Sequence, residues 1–176
     1  MKTLWNKNLV NATLLNKQAK GAGMSEAETV AQMVTKADNI TKTEIFVDLT
    51  GLENGGAAGD IIGSNDASAC WIARIDPGIH GTITGAKVTC LEVPAGGDPD
   101  IDIYSADEAT GTENAAITGL TETALVDAGD ATLGSVDVFS AYPTAGQYIY
   151  LVAGAGATVF GSYSAGKLLI ELYGTR

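Results

Sequence analysis

From residue 43 onward, apolar and polar positions alternate with a period of two. Across Glu44–Leu49, Ile45, Val47 and Leu49 fall on one side and Glu44, Phe46 and Asp48 on the other, the signature of a half-buried strand. Strand-like runs recur over Ala69–Ile75, over Thr82–Val93 with Gly85 marking a bulge, and over Asp100–Tyr104. Four more fall at Thr123–Val126, Ser135–Phe139, Gln147–Ala153 and Thr158–Tyr163, and a last one at Lys167–Tyr173. Between them stand turn formers: Gly55-Gly56-Ala57-Ala58-Gly59, Asp76-Pro77-Gly78, Pro94-Ala95-Gly96-Gly97 and a polar stretch over 105–116. Short strands at this spacing, with no helix-period run between them, predict an all-β fold. The expected form is an antiparallel β-sandwich or jelly-roll-like body over 43–176.

Residues 1–42 read differently. Ser25-Glu26-Ala27-Glu28 has the form of a capping box, in which Ser25 and Glu28 each satisfy a backbone N–H of the other. Ala27, Val30, Val34 and Ala37 then recur at helical spacing, predicting a short helix over about 25–37 that stops at Asp38-Asn39. Ahead of it, Leu4, Trp5, Leu9, Val10, Leu14 and Leu15 form no single clean face, and Lys20-Gly21-Ala22-Gly23 reads as a flexible break. An isolated stretch of this kind is marginal in water and needs a surface to lie on. The expectation is an N-terminal extended or helical arm, 1–42, whose Leu4, Trp5, Leu9, Val10, Leu14, Leu15, Val30 and Val34 are buried by a partner.

Charge sharpens the division. Residues 1–42 carry six lysines against Glu26, Glu28 and Asp38, a net +3; residues 43–176 carry four basic and eighteen acidic groups, a net −14. An acidic body repels nucleic acid, because phosphate contact requires clustered cations. A basic arm on an acidic body attracts a neighbouring copy or another acidic surface. Asn6, Lys7, Asn8 and Asn11 break up any apolar leader, and the apolar stretch Tyr148–Phe160 is too short to span a bilayer, so neither export nor membrane insertion is expected. The 22 glycines of the 176 residues are about twice the usual share and follow no three-residue period, which fits many tight turns and excludes collagen.

Candidate chemistry is sparse. Asp98-Pro99-Asp100-Ile101-Asp102 offers hard oxygen ligands of the kind Ca²⁺ takes. It starts like an EF-hand loop, but Ile103 stands where that loop needs glycine. The alternative is an acidic strand edge that resists pairing. His80, the single histidine, sits in a turn and reads as a surface residue; a usual zinc site lacks its second imidazole. Cys70 and Cys90 read as buried thiols, with a disulfide between adjacent strands as the alternative. The chain has no nucleophile-elbow G-x-S-x-G, no dinucleotide loop and no phosphate loop, and no enzymatic role is expected. The scattered large aromatics, Trp5 and Trp71 among them, read as core and interface anchors rather than sugar platforms.

Two stretches carry a family resemblance: Gly146-Gln147-Tyr148-Ile149-Tyr150-Leu151-Val152-Ala153-Gly154, and Ser164-Ala165-Gly166-Lys167-Leu168-Leu169-Ile170-Glu171-Leu172-Tyr173-Gly174. With the lysine-poor body, they resemble small virion structural proteins of tailed bacteriophages, marine ones especially, including capsid decoration (cement) subunits. The resemblance covers about 43–176. It implies a jelly-roll-like body, a homo-oligomer (often a trimer), attachment to the major capsid protein or other virion subunits, no cofactor, and a place in the virion after synthesis in host cytoplasm. The same stretches, with Asp100-Ile101-Asp102-Ile103-Tyr104, are also similar to accessory β-sandwich domains of secreted bacterial enzymes, which implies a glycan-binding or adhesion module, Ca²⁺-assisted at Asp98, Asp100 and Asp102.

Overall fold

The computed structural model describes residues 11–14, 20–24, 30–64 and 66–176. In chain order the elements are β1 (Asn11–Leu14), β2 (Val30–Ala37), β3 (Ile40–Asp48), β4 (Glu53–Asn54), β5 (Ile62–Gly63), β6 (Ala73–Arg74) and the single helical turn α1 (Pro77–His80). β7 (Thr82–Ala95), β8 (Ile101–Ala106), β9 (Glu122–Val126), β10 (Val136–Val138), β11 (Tyr148–Ala153), β12 (Gly161–Ser162) and β13 (Ala165–Thr175) follow. The strands form a six-stranded sheet ordered β1-β2-β3-β13-β7-β10, a four-stranded sheet ordered β6-β11-β8-β9, and a small sheet ordered β12-β4-β5. Every named strand pair is antiparallel, and the fold is all-β and sandwich-like, as the alternation predicts.

The period-two pattern explains where the core lies. Ile45 and Val47 of β3, Val88 and Cys90 of β7, and Leu168, Ile170 and Leu172 of β13 project inward from the large sheet. Ile101 and Ile103 of β8, Leu125 of β9, and Ile149 and Leu151 of β11 join them in one continuous cluster. Each such side chain is worth roughly 1.5–3 kcal/mol of burial. On the other face of the large sheet, Glu171 of β13 bridges Lys42 of β3 at 2.5 Å and Lys87 of β7 at 2.7 Å. Burial alone would raise the Glu171 pKa, but the two ammonium groups hold it down to about 2. The expected bulge is present: Tyr173 pairs with Gly85 and Gly174 with Ile83, leaving Thr84 extra.

Three expectations are corrected. The helix over about 25–37 is not formed where it is described: residues 30–37 are β2, which pairs with β3 from Val30↔Val47 to Ala37↔Ile40. Asp38 and Asn39 do not end a helix but close a two-residue hairpin, with Asp38 at φ 52°. Pairing along eight residues of β3 satisfies far more backbone than two turns of lone helix would. Residues 25–29, with the capping box, lie outside the described residues.

The break at Lys20–Gly23 is likewise no hinge. Gly21 N–H donates to the Trp71 carbonyl at 2.8 Å, Gly23 N–H to that of Ala69 at 2.7 Å, and Ser64 N–H to that of Gly23 at 2.8 Å. Glycine is required because a Cβ on Gly21 would stand 2.1 Å from the Ala69 oxygen. Met24, next along, is wholly buried. The arm boundary at residue 42 therefore moves: residues 20–24 and 30–42 belong to the body.

His80 is the third correction, being wholly buried rather than on the surface. Asp76 caps α1 by accepting from Gly78 N–H at 2.8 Å, and Pro77 opens the turn with its φ already set. That turn delivers Asp76 N–H to His80 Nδ1 at 2.8 Å. An occupied Nδ1 leaves the ring proton on Nε2, which meets the Gln32 amide of β2 at 2.9 Å. Gln32 Oε1 is otherwise buried without a partner, so the amide oriented oxygen-to-Nε2 satisfies both groups.

Candidate interaction surface

Edge strands expose unpaired peptide groups, and β10 is one edge of the large sheet. Ser135 O accepts from Cys90 N–H and Phe139 N–H donates to Ala86 O, each at 3.0 Å. Residues 135, 137 and 139 thus aim their peptide groups at β7, and Val136 and Val138 aim theirs outward. The side chains of those two valines are exposed as well, at 50% and 69%. Register places Val136 opposite Thr89 and Val138 opposite Lys87, on the outer face of the sheet, while Asp137 lies opposite the buried Val88.

Three more exposed apolar side chains adjoin. Leu91 and Val93 lie farther along β7, and Leu133, at 73% exposure, sits in the turn that enters β10 through Gly134 N–H to Cys90 O at 2.8 Å. The loop ahead of it carries Asp127 and Asp130, both exposed. An exposed apolar strip rimmed by charge is the usual mark of a protein-contact site.

A second apolar projection, Val159 and Phe160, is held from beneath by the aspartate run. Asp98 is 4% exposed, and its carboxylate accepts from Asp100, Thr158 and Val159 N–H at 2.9, 2.7 and 2.9 Å. Burial alone would raise its pKa; these three donors bring it below the usual value. Asn54 donates to the Val159 carbonyl and accepts from Gly161 N–H, each at 2.8 Å, and the Tyr163 hydroxyl donates to the Asp98 carbonyl at 2.9 Å.

Asp100 Oδ2 accepts from Gly156 N–H at 2.7 Å, while Oδ1 packs so closely on Gly154 that a Cβ there would be 1.9 Å away. Asp102 accepts from Ala128 N–H at 3.1 Å. Burial raises the pKa of Asp100 and carries that of Asp102 up to about 6, helped by the neighbouring carboxylates. The three aspartates proposed as calcium ligands therefore act as clamps on the 126–130 and 154–159 loops. Among the described residues, no three His, Cys, Asp or Glu groups converge as a metal site.

Of the residues expected to bind a partner, Val34 is buried within its own body, on β2. Leu14 falls in β1 and Val30 opens β2; Leu4, Trp5, Leu9, Val10 and Leu15 lie outside the described residues. Cys70 and Cys90 are both buried, as the sequence suggests; the Cys70 thiol donates to the Ser68 carbonyl at 3.2 Å, and burial pushes the Cys90 thiol pKa up. Trp71 and Tyr148 meet edge to face at 5.2 Å, and the Arg74 guanidinium lies over the Tyr148 ring at 5.7 Å, so these aromatics are engaged with one another. An open groove of about 460 Å³ is lined by Pro77, Gly78, Gly81, Thr82, Thr175 and Arg176. Among the described residues, no helix is long and apolar enough to cross a membrane. No protein-family model, curated protein or solved structure matches the chain.

Proposed function

We propose that this chain is a non-enzymatic structural subunit that binds other protein subunits, in the manner of a tailed-phage capsid decoration or minor head protein. The observation that carries the reading is the apolar strip at the β7–β10 edge, presented by a rigid antiparallel body with outward-facing peptide groups beside it. The mechanism is mass action: a subunit that binds the assembled shell, and not its free parts, stabilises the shell by RT ln(1 + L/Kd) per site, where L is the free subunit concentration. Because residues 20–24 and 30–42 are built into the body, attachment by the arm does not rest on them.

The test is cosedimentation of the full chain with assembled tailed-phage shells and, separately, with free major capsid protein. Binding to shells alone, with a rise in the temperature at which they disassemble, is the expected result. Absence of shell binding together with chelator-sensitive binding on a glycan array would replace this reading with the adhesion-module one.

A further inference from the structure

The geometry points to the β10 edge as the acceptor for residues 1–10 of a second copy of this chain, so that copies join head to tail. This deepens the proposed function, and rests on it, by naming where one subunit receives the next.

Three observations converge. First, β10 offers what an added extended segment needs: outward peptide groups at Val136 and Val138, and the apolar side chains Leu91, Leu133, Val136 and Val138 beside them. Second, residues 1–10 supply the complement. They carry Leu4, Trp5, Leu9 and Val10, together with Lys2 and Lys7 and no acidic residue. The acceptor strand carries Asp137 on a body of net charge −14, and Lys87, which pairs with Val138, is already bridged to Glu171 at 2.7 Å. Third, the reach of the segment selects a neighbour over self. Residues 1–10 join the body at β1, the opposite edge of the same sheet. Five strand spacings separate β1 from β10, about 24 Å, and ten extended residues span at most about 33 Å. Crossing its own sheet would use about seven of the ten residues, too many for all four apolar side chains to lie along β10. A neighbouring copy has no such crossing to make.

Donor and acceptor are different surfaces, so the contact is heterologous and closes into a ring where the rotation allows. Such a ring seals the exposed edge of every subunit, the feature that otherwise invites uncontrolled strand pairing.

The experiment measures the mass of the full chain in solution, with two substitutions that disable opposite halves of the contact. Trp5→Asp spoils the donor and Val138→Lys spoils the acceptor; circular dichroism verifies that each keeps its β signature. The wild-type chain is expected at a multiple of 18.0 kDa, a trimer being the anticipated ring. Each variant alone is expected as a monomer. Their mixture is expected to form a one-to-one dimer, because one intact donor and one intact acceptor remain. A synthetic peptide of residues 1–10 added to Trp5→Asp should shift the backbone amide resonances of Val136–Val138.

A monomeric wild-type chain overturns the proposal. So does an oligomer broken by Val138→Lys but not by Trp5→Asp, which would mean symmetric edge-to-edge pairing. Failure of the mixture to associate, or peptide-induced shifts elsewhere on the body, refutes it equally. Shell binding by a monomeric wild-type chain would sink this inference and leave the proposed function standing.

Discussion

Asp102 is the most informative single residue to perturb. Its side chain is 4% exposed, it accepts one backbone hydrogen bond from Ala128, and burial with the nearby charges of Asp127 and Asp100 lifts its pKa from 3.8 to about 6. A raised carboxylate pKa means that the folded state holds a proton the unfolded chain has released. Stability from this group is full below about pH 4 and is lost as pH rises to about 6. At about 1.36 kcal/mol per pH unit, the whole loss is about 3 kcal/mol. Asp102→Asn keeps an oxygen for Ala128 N–H and cannot ionise, so it removes the penalty.

The assay is urea unfolding of both proteins, followed by tryptophan fluorescence, at about pH 5 and about pH 8. The stability difference between variant and wild type should move in the variant's favour by about 1.4 kcal/mol between those two conditions. Taking a difference of differences cancels packing changes that do not depend on pH. An equal difference at both pH values would refute the claim that Asp102 is protonated in the folded protein, and with it the account of the aspartate run as buried clamps.

Two further outcomes follow from the same physics. Gly21→Ala should cost about 2–3 kcal/mol in urea unfolding, since the new methyl meets the Ala69 carbonyl and the backbone must shift; a neutral effect would mean that residues 20–24 are not stitched to the body. Burial pushes His80 below its ordinary pKa of 6.5, against the pull of the Asp76 carboxylate and with a small push from Lys36. A lowered imidazole pKa gives stability that is complete above 6.5 and lost as pH falls through it, the opposite sense to Asp102. NMR titration of the single imidazole should show a midpoint below 6.5, and a midpoint at or above that value would contradict its burial.

The long strands β3, β7 and β13 were legible because one face of each is buried and the alternation records it. β2 was misread for a specific reason. Val30 and Val34 stand four apart, a spacing that suits one helical face and also one strand face. The position that discriminates is Gln32, polar in sequence yet 7% exposed in the fold. Its burial is tolerated because His80, forty-eight residues away, supplies its partner, and no local pattern encodes that pairing. The aspartate run was misjudged on similar grounds. Three carboxylates in five residues look solvated or metal-binding until each is seen to accept N–H groups from the 126–130 and 154–159 loops.

β10 was legible as a strand, but which of its faces is exposed was not. Ser135–Phe139 reads as a strand in which Val136 and Val138 share one face and Asp137 lies on the other. In the structure Phe139 is buried, Asp137 shares the face of the core residue Val88, and the two valines stand in solvent. A strand of three residues at the edge of a sheet has every means of hiding two valines, since a charged or threonine side chain at either position would keep the β geometry and remove the exposure. Burial in the monomer therefore does not account for their presence. Sequences break local rules where a contact outside the isolated chain compensates, and at β10 it is the apolar face that is exposed. That is why we propose β10 as the place where subunits join, and why Val138→Lys is the substitution that tests the acceptor.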